Sequence, residues 1–339
     1  MTKVFIIYTG GTIGMVNDAK TGALIPFNFE QIKENVPELA RLNYEIAVHS
    51  FEPIIDSSNM HPDQWKNVLA EIIEKNYEEF DGFVILHGSD TMSFTASALS
   101  FMLKNLAKPV VLTGSQLPIG EIRTDAKENL ITALEIAATK QNGKAVVPEV
   151  CIYFDNQLFR GNRSIKYNTE KFEAFRSPNY PILAEAGVQL TFFHKEILPV
   201  PTKNFYIHTK FDANIGVLKI YPGMTEAVVY AVTRSKVKAI VLETFGSGNT
   251  TTAKWFTDAL AEAIKNGKHI VDISQCQRGS VQLGMYETSS ELQKMGVISG
   301  FDMTFETAVT KLMYLLAADL NTEEIKQQME SPIAGELTN

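Results

Sequence analysis

Short apolar runs that end in small polar loops, each followed by an amphipathic stretch, recur along the first two-thirds of the chain. Val4–Tyr8 runs into Thr9-Gly10-Gly11-Thr12, Phe83–Leu86 into His87-Gly88-Ser89-Asp90-Thr91, and Val110–Leu112 into Thr113-Gly114-Ser115-Gln116. The runs are continuous rather than alternating, the pattern of strands covered on both faces. Between them the apolar spacing turns helical. Trp65, Val68, Leu69, Ile72 and Ile73 share one face, opened by Pro62 with Asp63 beside it. Phe94, Ala98, Phe101 and Met102 make a second face; Leu130, Leu134 and Ala138 make a third, with Asp125 as its expected cap. The pattern breaks after about residue 190, where Leu198–Asn214 mixes prolines with polar residues. It resumes with Ile215–Ile220, a helix from about Thr225, Ala239–Glu243, a GSGNTT loop, a helix holding Trp255, Phe256 and Leu260, and His269–Ile273. A last helix is expected from about Phe305 to Ala318. This order predicts the α/β class: a two-domain α/β/α sandwich with largely parallel sheets. The larger N-terminal domain is expected over residues 1–195, a linker over 196–213 and a smaller C-terminal domain over 214–339. Ligands in such folds sit outside the carboxyl ends of the strands, where all three Gly/Ser/Thr loops lie.

Composition narrows the function classes. The 339 residues are 45% hydrophobic and 21% charged, ordinary for a globular chain with a sizeable core. A net charge of −8 argues against a surface built for nucleic acid or anionic membrane. The apolar run at the N-terminus is too short for a signal-peptide core, and no run approaches a membrane span, so a cytoplasmic location is expected. Cys151 and Cys276 are far apart and lack a CxxC, which disfavours zinc ribbons and disulfide frameworks. Both read as buried small hydrophobes.

The loops carry several candidate chemistries. His49, His61, His87, His194, His208 and His269 form neither HxxxH nor HExxH, so no metal site is expected. Gly10-Gly11-Thr12-Ile13-Gly14 follows a strand but is neither GxGxxG nor a P-loop, and reads equally well as a tight turn. His87 lies close to Ser89 and Asp90 in sequence, yet no GxSxG elbow surrounds the serine; a loop-supporting role suits the histidine better. Hydroxyls with a lysine remain. A hydroxyl becomes a nucleophile when a base takes its proton, and a lysine does this if its surroundings favour the neutral amine. Lys166, in Arg160-Gly161-Asn162-Arg163-Ser164-Ile165-Lys166, is the candidate, with Arg160 and Arg163 as expected cationic neighbours. By spacing alone, such a lysine is as readily a solvated surface residue.

At these residues a resemblance enters. YTGGTIG at Tyr8–Gly14 and HGSDTM at His87–Met92 resemble the two signature motifs of bacterial-type L-asparaginases. DSSNM at Asp56–Met60, TGSQ at Thr113–Gln116, RGNRSIK at Arg160–Lys166 and SQC at Ser274–Cys276 extend it over nearly the whole chain, in the manner of the cytoplasmic type I branch. The resemblance implies hydrolysis of asparagine to aspartate and ammonia through an acyl-threonine, without a cofactor. It implies Thr12 as nucleophile, Ser89 as second catalytic hydroxyl, Lys166 as the lysine that activates it, and Asp90 as the carboxylate for the substrate ammonium. Asp56, Ser57 and Ser58 match the loop that grips the α-carboxylate and amine, and Ser115 a backbone carbonyl facing the substrate amide. Backbone N–H groups near Gly11 and Gly88 are candidates for an oxyanion hole. A homodimer or homotetramer is implied, with a small amino acid and neither nucleic acid nor membrane as partner. The competing readings are the amidase subunit of a tRNA-dependent amidotransferase and a non-catalytic amino-acid sensor.

Three departures from the family pattern stand out. Ser89 occupies a position that is normally threonine. The stretch Thr21-Gly22-Ala23-Leu24-Ile25-Pro26 lacks the tyrosine expected near the nucleophile. Glu243 stands where some type I members have an arginine for an activating second asparagine; Ile165 replaces a threonine there and Cys276 is retained. Hyperbolic asparagine kinetics are expected.

Overall fold

The computed structural model describes residues 1–17, 24–26, 36–285 and 287–338. The chain divides into two compact units, Met1–Thr209 and Lys210–Asn339.

Unit one is built on an eight-stranded sheet in the order Leu190–Phe192, Ala184–Ala186, Gln157–Arg160, Val150–Phe154, Val110–Thr113, Gly82–Leu86, Thr2–Tyr8, Tyr44–Ser50. The last five are mutually parallel, and the first three join as an antiparallel extension. The apolar runs become central strands because both faces are covered. Val4, Ile6, Val84, Leu86 and Val111 pack with Leu130, Ala133, Leu134 and Ala137 of the helix Ala126–Ala138. On the other face Phe5 meets Phe80 and Phe83 edge-on, with ring centroids 4.8 and 6.3 Å apart. That side also carries the helix Met92–Met102, to which Trp65 is tied by an indole N–H donated to Thr95 Oγ1 at 3.0 Å.

The order of the parallel strands positions the site. From Thr2–Tyr8 the chain first adds Tyr44–Ser50 on one side and then Gly82–Leu86 on the other. The direction of winding therefore reverses between Thr2–Tyr8 and Gly82–Leu86, and their following loops diverge to leave a crevice. Those loops hold Thr12 and Ser89.

Several details differ from the sequence reading. The helix opened by Pro62 is capped by His61 in a reciprocal box with Gln64, and passes through a π-helical stretch, Trp65–Ala70. Trp65, Leu69 and Ile73 are buried as expected; the side chain of Val68 lies outside the described residues. Asp125 occupies the cap position of Ala126–Ala138, but its side chain makes no capping bond. Inside the expected linker, Tyr206–Ile207 pairs antiparallel with Leu103–Lys104.

Unit two holds a four-stranded parallel sheet in the order Ile215–Lys219, Ala239–Thr244, His269–Ser274, Ile298–Ser299. Leu218, Ile240, Leu242 and Ile270 pack with Val229 of Glu226–Thr233 and with Phe256, Leu260 and Ala263 of Lys254–Lys265. Two features of its interior are polar. Asp272 is 0% exposed; the Thr244 hydroxyl on the adjacent strand faces it, but the two do not close a full-strength hydrogen bond. Lys311, in the helix Phe305–Leu316, is also fully buried and meets Glu336 at 2.5 Å, with Met329 O and Ser331 O as further acceptors. Cys151 is buried, but Cys276 is exposed, because it sits past the end of His269–Ser274 in a polar loop. No helix among the described residues is long and apolar enough to cross a membrane.

Candidate active site

Thr12 opens a short 3₁₀ turn, Thr12–Gly14, directly after Gly11. Gly11 has φ 91°, and a Cβ there would lie 2.6 Å from Gly88 N and 2.7 Å from Gly88 Cα. Only glycine permits both that backbone and that approach. The two loops are thus pressed together one residue before Thr12 on one side and one residue before Ser89 on the other. Gly88 in turn abuts Ser57: a Cβ on Gly88 would lie 2.5 Å from Ser57 Oγ. Ser57 is buried, and its carbonyl accepts a bond from Thr91 Oγ1 at 2.7 Å. Asp56 accepts from Ser58 N at 3.0 Å, which caps the turn Ser57–Asn59 and holds the carboxyl below its ordinary range. Ile55 N donates to Thr9 O at 2.7 Å, fastening this segment to the Thr12 loop.

Lys166 reaches the same place from much later in the chain. Its segment, Ile165–Lys166, pairs with Phe175–Arg176, and Gly161 lies tight against Ala96 and Val150. The ammonium donates to Ser89 Oγ at 2.8 Å and to Asp90 Oδ1 at 2.5 Å. Its side chain is 17% exposed, whereas that of Asp90 is 64% exposed. The lysine is therefore anchored in protein while its counter-ion faces solvent. Arg160 and Arg163, expected to act on Lys166, have other tasks. Arg160 is met by Glu149 at 2.6 Å, with both side chains buried, and stacks on Tyr180; Arg163 donates to Asn179 O at 2.8 Å. They brace the loop that presents Lys166.

His87 supports the Ser89 loop. Trp65 Nε1 can only donate, so Thr95 Oγ1 accepts from it and turns its own proton to His87 Nε2 at 2.9 Å. That leaves Nδ1 protonated and donating to Gly88 O at 2.7 Å. Full burial pushes the imidazole pKa down to about 4, so the ring is neutral at pH 7. Tyr8 is similarly structural: its hydroxyl donates to Gly14 O at 2.9 Å, and burial raises its pKa to about 12. It pins the turn after Thr12 and is a poor substitute for a proton-accepting tyrosine. Residues 21–23 of the segment that lacks a tyrosine lie outside the described residues.

Ser115 is 4% exposed and follows Gly114, where a Cβ would lie 2.5 Å from His87 O. How its loop is held went unforeseen. Asp125 accepts from Gln116 N at 3.1 and 3.0 Å and from Leu117 N at 3.2 Å. Asn129 Nδ2 donates to Gly114 O at 2.9 Å and to Asp125 at 3.2 Å. The only available signal was a pair of amide-binding residues four apart at a helix start, which also fits an ordinary cap. In unit two, Glu243 is paired with Lys219 at 2.9 Å. Among the described residues no group of three or more His, Cys, Asp or Glu could hold a metal ion.

Comparison with known proteins agrees across both units. The family model "Asparaginase, N-terminal" matches residues 3–198, and "Glutaminase/Asparaginase C-terminal domain" matches residues 214–329. The chain is 42% identical over 337 residues to L-asparaginase 1 of Escherichia coli K12, covering 99% of this chain and 98% of that one. It is 32% identical to a subunit of the glutamyl-tRNA(Gln) amidotransferase of Pyrococcus abyssi, covering 100% of this chain and 77% of that protein. The crystal structure of L-asparaginase I from Vibrio cholerae superposes with a TM-score of 0.91 at 40% identity, over 100% of this chain and 99% of that one.

Proposed function

Since this chain belongs to the asparaginase family, through matches in both of its halves, we propose that its reaction follows from the hydroxyls and lysine gathered around Gly88. The enzyme is an amidohydrolase that converts L-asparagine to L-aspartate and ammonia. The observation that best supports the residue roles is Lys166 Nζ, 2.8 Å from Ser89 Oγ and 2.5 Å from Asp90 Oδ1.

In the free site, Lys166 is paired with Asp90. An arriving asparagine brings its own α-ammonium, and Asp90 turns to it. Asp90 is mostly solvent-exposed, so water takes up part of what it loses on leaving Lys166. Lys166, released from Asp90, keeps its contact with Ser89 Oγ and serves as the base at that hydroxyl. Ser57 and Ser58, with Asp56 shaping their turn, offer neutral donors to the α-carboxylate. Thr12 Oγ attacks the side-chain amide carbon as its proton passes through Ser89 to Lys166; the C–N bond breaks and that proton returns to the nitrogen, which leaves as ammonia. Water, deprotonated at the same centre, cleaves the resulting ester and restores Thr12. Backbone N–H groups near Gly11 and Gly88, whose loops touch, are the candidates for stabilising the oxyanion. No cofactor enters this scheme. A symmetric homo-oligomer in the cytoplasm completes the reading.

Identity is 42% to L-asparaginase 1 of Escherichia coli K12 against 32% to the amidotransferase subunit, which favours the asparagine hydrolase. A sensor would need no lysine aimed at a serine hydroxyl. Ammonia release should be measured against asparagine, glutamine and a blank, with Thr12→Ala as control. The expected result is turnover with asparagine that Thr12→Ala abolishes; undiminished release by Thr12→Ala sinks the nucleophile assignment.

A further inference from the structure

Gln116 N–H points at the Asp125 carboxylate, and the Ser115–Gln116 peptide is trans. Across a planar trans peptide the carbonyl lies opposite the N–H. The Ser115 carbonyl therefore points away from Asp125 and from the helix that Asp125 heads. On the preceding peptide, Gly114 O is taken by Asn129. Asn129 is itself held, 2% exposed, with Oδ1 accepting from Asp155 N at 3.3 Å. Both sides of Ser115 are thus clamped from one helix turn, and a rotation of either peptide would break a hydrogen bond.

We infer that Asp125 is a positioning residue for the leaving nitrogen: it fixes the Ser115 carbonyl as acceptor for the amide N–H and, through its negative charge, makes that acceptor stronger. This rests on the asparaginase reading of the site. The charge matters because a peptide N–H bound to an anion becomes more polarised, and the same peptide's oxygen becomes a better acceptor. The amide nitrogen grows more positive as it takes up a proton on its way out. Its hydrogen bond to Ser115 O therefore strengthens during the reaction, which is the condition for lowering the barrier.

A leaving group without N–H tests this. The parent and Asp125→Asn should be compared on L-asparagine and on L-aspartate β-methyl ester by kcat/KM, which reports only steps up to departure of the leaving group. Asparagine retains a cap-competent, near-isosteric residue at the helix start but removes the charge. The expected result is about a tenfold loss on asparagine, the scale of one hydrogen bond, with the ester changed less than about twofold. Equal losses on both substrates would assign Asp125 a purely structural role and overturn the inference, as would no loss on either. Should Asp125→Asn fail to fold, Asn129→Ser loosens the Gly114 side of the clamp and is read against the same two outcomes. A parent that releases no ammonia from asparagine contradicts the enzyme reading instead.

Discussion

Replacing Asp272 by asparagine should stabilise the protein at neutral and alkaline pH and leave it unchanged in acid. The carboxyl is fully buried, Thr244 offers it only a weak hydrogen bond, and desolvation raises its pKa from 3.8 to about 7. Below pH 3.8 both native and unfolded chains hold the proton. Between 3.8 and about 7 the native chain keeps it and the unfolded chain releases it, so the native state binds more protons and stability falls as pH rises. Above about 7 both are ionised and the loss is complete. At about 1.4 kcal/mol per pH unit, the upward displacement corresponds to ~4 kcal/mol. The amide of Asp272→Asn cannot ionise, so the variant escapes this loss, while the new side chain inherits the same surroundings as the neutral acid. Urea unfolding of parent and variant at intervals from about pH 3.5 to 8.5 measures the difference directly. It should be near zero at the acid end and level off above about pH 7.5. A difference that is flat with pH, or largest in acid, refutes the assignment of a buried, weakly bonded carboxylate.

His87 has the opposite sign. Its native pKa lies at about 4 against 6.5 unfolded, so the unfolded chain binds the extra proton between those values. Unit one should lose about 3 kcal/mol as pH falls from 6.5 to about 4, and this portion should disappear in His87→Asn denaturation curves. Ser89→Ala should lower kcat on asparagine by about 100-fold or more, as expected for loss of a proton-transferring group. Ser89→Thr should match or exceed the parent several-fold, because the added methyl restricts χ1 and fixes the hydroxyl toward Lys166; steady-state kinetics with folded variants decides. Asparagine saturation should be hyperbolic, since Lys219 is already bound to Glu243 at 2.9 Å and offers no free cation to an effector carboxylate; a clear sigmoid contradicts it.

The central strands were legible because burial on both faces demands unbroken apolar runs, and Val4–Tyr8, Phe83–Leu86 and Val110–Leu112 meet that demand. Tyr44–Ser50 went unseen because an edge strand faces solvent and mixes Glu45, His49 and Ser50 with apolar residues. The antiparallel strands Gln157–Arg160, Ala184–Ala186 and Leu190–Phe192 are too short to show a period. At the site, the loops that follow parallel strands announced Thr12, Ser89 and Ser115. The partnership of Lys166 with Ser89 spans 77 residues and came only from family resemblance. Charge roles were least readable. Arg160 was expected to act on Lys166 but is committed to Glu149, because a buried guanidinium needs a carboxylate within reach. Asp125 looked like a helix cap, yet the backbone of the preceding loop competes for the same oxygens and wins.

The meeting of Lys311 with Glu336 ties the completion of unit two to a residue synthesised well after the helix it serves. Without that carboxylate the ammonium on the helix Phe305–Leu316 would meet a dry interior with neutral acceptors alone, which weakens the docking of the helix. A molecule clipped just before Glu336 would leave Lys311 with the Met329 and Ser331 carbonyls but no counter-charge, loosening the helix toward water and proteases. The late carboxylate thus acts as a latch on that helix.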